Sequence, residues 1–87
     1  MLGGITMKEE VFNLGVSAMS HLLFSLAIPD LKPRVKQYHK NKYNEIKRSI
    51  AKIVGATYNE IDRCFKDASI IAPFRGMWSN LKEYVND

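Results

Sequence analysis

Eighty-seven residues, 46% hydrophobic and 25% charged with five glycines and three prolines, describe one folded domain, too short for a large enzyme cleft and too apolar for a disordered tail. The single cysteine, Cys64, excludes an internal disulfide framework and suits a reducing, cytoplasmic setting. The net charge of +4 is uneven: Lys32, Arg34, Lys36, Lys40, Lys42, Lys47, Arg48 and Lys52 face only Glu45, so residues 32–52 carry +7 and the remainder −3. Such a patch draws polyanions; its bland counterpart is a solvated helix face.

Residues 1–6 read as a flexible N-terminal extension, because Gly3-Gly4 orders poorly and Met7 offers a second start, while residues 7–87 form a single helical domain. Glu9 and Glu10 stand where a secretory leader requires positive charge, so no export signal is expected. The apolar stretch 11–28 is interrupted by Asn13, Ser17, Ser20, His21 and Ser25, which favours a buried amphipathic helix over a membrane span. Val11, Leu14, Ala18, Leu22 and Leu26, with Met19 and Leu23 beside them, mark its inner face. Thr6 and Glu9 have capping-box spacing at its start, and Ile28-Pro29-Asp30 ends it.

Pro33 then occupies a position that a first helical turn tolerates. Residues 34–42 are basic, with Val35 and Tyr38 as the only apolar anchors, and predict a short helix whose boundary with the next is open. From Tyr43 the pattern sharpens through Ile46, Ile50, Ile53 and Val54 to Gly55, which can take the left-handed conformation that ends a helix. Thr57 with Glu60 predicts a new helix over 57–70, inward at Ile61, Cys64, Phe65, Ala68 and Ile71 and ended by Pro73. A last helix follows Gly76, with Met77, Trp78, Leu81 and Tyr84 or Val85 packing back. No strand alternation appears, so the fold expected is all-α, a compact domain of four to five helices.

A helix-turn-helix frame fits residues 47–66: Ala51 supplies the small residue at the closest approach, Gly55 the turn, and Ile50, Val54, Ala56, Ile61 and Cys64 the anchors. In such a unit the second helix enters the major groove. Thr57, Tyr58, Asn59, Asp62, Arg63 and Lys66 then point outward as candidate base readers, Asn59 suited to adenine and Arg63 to guanine, while Lys40, Lys42, Lys47, Arg48 and Lys52 are candidate phosphate contacts. Glu60, Asp62 and Asp67 on the reading helix oppose phosphate.

The run "IAKIVGATYNEIDRCFKDASIIAPFRG", residues 50–76, resembles the C-terminal DNA-binding effector domain of the response regulator that commits endospore-forming bacteria to sporulation. The shared features fall on Ile50-Ala51-Lys52, Thr57, Asp62-Arg63, Lys66, Ala68, Ala72 and Arg75-Gly76. Upstream, "LAIPDLKPRVKQY", residues 26–38, is similar to the family's Leu-Gly-Ile-Pro segment after its first helix. The resemblance implies a reduced version of a six-helix α domain, tandem-site DNA binding, and residues 57–66 as base readers.

His21, His39 and Cys64 lack ligand-like spacing, and no phosphate loop, nucleophile elbow or carboxylate pair appears, so no metal, cofactor or enzymatic activity is expected. Cys64 reads as small core filler and His21 as a boundary residue. The function expected is a bacterial or phage-type regulator of transcription that binds double-stranded DNA, as a homodimer and in contact with RNA polymerase, away from any membrane. The alternative from another class is a small helical interaction module, or inhibitor, that grips an acidic protein partner.

Overall fold

The computed structural model describes residues 5–85 and consists of helices alone among them. The extension read at residues 1–6 lies outside the described residues except for Ile5 and Thr6. Helix α1 spans Met7–Ala27, α2 Pro33–Val54, α3 Tyr58–Lys66 and α4 Pro73–Leu81, followed by a 3-10 turn at Lys82–Tyr84.

Local chemistry sets most of these ends. The Glu9 amide donates to Thr6 Oγ1 (3.1 Å), and Thr6 in turn donates to the Glu9 carboxylate (3.2 Å), closing the first turn of α1. Ile28, forced toward extended geometry by Pro29, stops it at φ −108°, ψ 97°. Pro33 opens α2, which then runs unbroken for 22 residues. The expected short helix over 34–42 is therefore the first half of α2, since no glycine or proline separates it from Tyr43.

Gly55 ends α2 at φ 74°, ψ 29°, and the Ala56 amide reaches back to the Ala51 carbonyl (3.0 Å) in a Schellman-type closure. Thr57 at once caps α3: Glu60 N–H donates to Thr57 Oγ1 (3.2 Å), and Thr57 N–H donates to Glu60 Oε1 (2.9 Å). The reciprocal bonds satisfy donors that a helix start leaves unpaired.

The core lies where α1, α2, α3 and α4 converge, on Val11, Ala18, Met19, Tyr43, Ile50, Ala51, Ile61, Cys64, Phe65, Met77 and Leu81. By length and composition α1 could cross a membrane, but here its Val11, Gly15, Ala18, Met19 and Ser25 are packed inside the bundle.

Three expectations are corrected beyond α3. The helix expected over 57–70 ends at Lys66, and residues 67–72 form a loop that leaves Ile70 97% and Ile71 95% exposed, so Ile71 is not part of the buried stripe. Pro73 opens α4 rather than ending α3, because its missing N–H and fixed φ fit a first turn. Gly76 accordingly lies inside the last helix, where it meets the loop: a Cβ there would stand 2.8 Å from the Ser69 backbone nitrogen. Leu26, expected on the inner face of α1, is 65% exposed; in that last turn it is the neighbouring Ser25 that is buried.

Candidate nucleic-acid interface

The bend at Gly55 lays α3 across the C-terminal half of α2, and a joint of side chains centred on Lys47 and Tyr58 fastens the crossing. Lys47 is 2% exposed, and its ammonium is bonded to Asp62 Oδ1. The same nitrogen lies 3.8 Å from the Tyr43 ring centroid and 5.0 Å from that of Tyr58. Burial alone would lower the Lys47 pKa, yet bonds to Asp62 and Tyr58 and the neighbouring Tyr43 hold it above the ordinary lysine value. Burial likewise works against the Asp62 carboxylate, and hydrogen bonds from Lys47 and Lys66 more than offset it, leaving its pKa below the usual range. Tyr58 Oη completes the joint by donating to Asn44 Oδ1 (3.1 Å), with the Arg48 guanidinium 5.3 Å over its ring.

This joint redraws the surface expected from the sequence. Lys47 is not a phosphate contact at the surface but a buried cation, placed there because its counter-charge, Asp62, sits on the opposing helix. Asp62 does not point outward as a base reader either: its side chain is 14% exposed and bonded to Lys47 and to Lys66 (2.8 Å). Tyr58 is half-buried between α2 and α3 rather than free on the outer face. Thr57 is exposed, but its hydroxyl is engaged in the cap.

The remaining candidates stand as expected on the outside. Asn59 and Arg63, one turn apart on α3, are exposed and make no side-chain hydrogen bond or ion pair among the described residues. With Asp62 and Lys66 they line a shallow groove. Lys66 is exposed while tethered to Asp62. Arg48 and Lys52 are exposed one turn apart on α2, and Arg48 reaches the start of α3 through Tyr58. Lys40 is exposed farther along α2, and Lys42 pairs with Glu45 at 3.7 Å.

Two of the three acids that weigh against a phosphate surface are occupied internally. Glu60 is part of the α3 cap, its pKa lowered chiefly by the Thr57 backbone bond, and Asp62 is part of the joint; Asp67 is exposed at the end of α3. Asn44, which positions Tyr58, carried no signal in sequence because its partner lies 14 residues away. Cys64 is buried as core filler, its thiol pKa raised by that burial. Among the described residues no group of three or more His, Cys, Asp or Glu is placed to hold a metal ion.

Comparison with known proteins gave no matching family model, no matching curated protein and no matching solved structure.

Proposed function

We propose that the protein is a sequence-specific regulator of transcription that binds double-stranded DNA with α3 in the major groove. The observation that carries this reading is the pairing of a rigid bihelical joint, bent at Gly55 and locked by Lys47–Asp62, with the unengaged Asn59 and Arg63 on its outer side. A base-reading helix must be held firmly, since hydrogen bonds to base edges require fixed geometry, and each bidentate pair discriminates by about 1–3 kcal/mol. Arg48 and Lys52 supply cations on the adjoining helix, as a phosphate-positioning role requires. The mechanism is occupancy of a site, as a dimer on paired half-sites or on tandem sites, with no catalysis.

Selection of binding sites from a random duplex library tests this: an enriched motif supports it, and its symmetry reports the stoichiometry. The rival interaction module is favoured by the apolar groove lined by Leu22, Leu23, Leu26 and Ile70, an exposed feature of the kind that marks protein contacts. A folded protein that enriches no duplex would leave that second reading standing.

A further inference from the structure

The buried residues of α2 are Tyr43, Lys47, Ile50 and Ala51, from the middle of the helix onward. Residues 33–42 contribute none, so the attachment of this half-helix rests on its contacts with the end of α1. There two imidazoles meet. His21 Nδ1 and His39 Nδ1 are 2.8 Å apart, with ring centroids 5.0 Å apart. Phe24 packs on His39 at 4.5 Å, and Tyr38 lies 5.3 Å from His39 and 6.3 Å from His21.

A ring-nitrogen contact of this length needs one N–H and one lone pair. It therefore survives with both rings neutral or with one charged, whereas two imidazolium rings present two donors and no acceptor. We propose that His21 and His39 form a proton-operated clasp that holds the N-terminal half of α2 against α1 and opens when both rings are charged.

The groups facing the pair fit this behaviour. From α2 come Tyr38, His39 and Lys42, the last lying over the Tyr38 ring at 5.9 Å and paired with Glu45; from α1 come His21 and the apolar Phe24. Burial first, then the charges of His39 and Lys42, hold the His21 pKa below the ordinary histidine value. A depressed histidine pKa means the folded state favours the neutral ring. The resulting stabilisation is present above the ordinary value and is lost as the pH falls through the folded one. Opening frees a segment that carries Arg34, Lys36, Lys40 and Lys42, half of the cations in the 32–52 patch.

Amide hydrogen exchange on the full chain reads the clasp without any ligand. Protection factors at residues 37–42 should fall about tenfold from pH 7.5 to pH 5 relative to those at residues 43–54. His39→Leu, which keeps an apolar side chain against Phe24, should weaken that pH dependence, leaving only what the burial of His21 and the charge of Lys42 contribute. Imidazole nitrogen spectra of the wild-type protein at pH 7.5 should show one donor and one acceptor Nδ1, a readout independent of whether the variant folds. Overturning results are a pH-independent ratio of protection factors, equal pH dependence in His39→Leu, or two rings that titrate independently.

Discussion

The ammonium of Lys47, on α2, is buried and bonded to the carboxylate of Asp62, on α3, so an ion pair ties the two helices of the turn together. The two partners are not equivalent: Asp62 retains Lys66 if Lys47 is removed, whereas Lys47 has no second carboxylate among the described residues. Asp62→Ala should therefore cost about 3 kcal/mol or more, as expected for a buried charge left unpaired, and Lys47→Met markedly less. Urea denaturation of the two variants checks the ordering, and equal losses would contradict it.

The same pair sets a pH window. The folded pKa of Asp62 is depressed, so its contribution is present above the ordinary carboxylate range and lost as pH falls through the folded value. That of Lys47 is raised, so its contribution is present below the ordinary lysine value and lost only as pH rises through the folded one. The stability difference between wild type and Asp62→Asn should be flat from about pH 6 to about pH 9 and shrink below about pH 4. Denaturation curves across that range measure it.

Two glycines should resist replacement for different reasons. Gly55 has φ +74° with open space around it, so Gly55→Ala should cost about 1–2 kcal/mol through backbone strain and Gly55→Asn less. Gly76 has an ordinary helical position, but its face abuts the Ser69 amide, so Gly76→Ala should cost about 1–3 kcal/mol despite alanine's better helix propensity. Thermal melts of the three variants separate strain from crowding.

Correcting the place of Lys47 changes what a salt titration should show. Lys52→Ala removes an exposed cation and should flatten the dependence of log affinity on log salt by about 0.9, whereas Lys47→Met should leave the slope unchanged. Mobility shifts on a single duplex at several salt concentrations distinguish them.

What was legible in the sequence was local. Thr6 with Glu9, Gly55, and Thr57 with Glu60 fix helix ends through bonds spanning three to five residues, and each is found where its spacing placed it. Lys47 was misread because a lysine is buried only when a distant partner neutralises it, and Asp62 lies 15 residues away on another helix. The proximity of His21 and His39 is hidden in the same way by a separation of 18. The end of α3 was misplaced because Ala68 and Ile71 continue its apolar spacing, while Gly76 of α4 packs directly on the Ala68–Ser69 backbone that a longer α3 would fill with side chains.

The central proposal is that the outer side of α3 reads bases, and Arg63 tests it most directly. Mobility-shift affinities of wild type and Arg63→Ala are compared on the library-selected duplex and on a scrambled one. Arg63→Ala should lose about 1–3 kcal/mol of the preference for the selected duplex while binding the scrambled one within a few-fold of wild type. An Arg63→Ala protein that keeps the full wild-type preference would contradict the assignment of α3 as the reading helix.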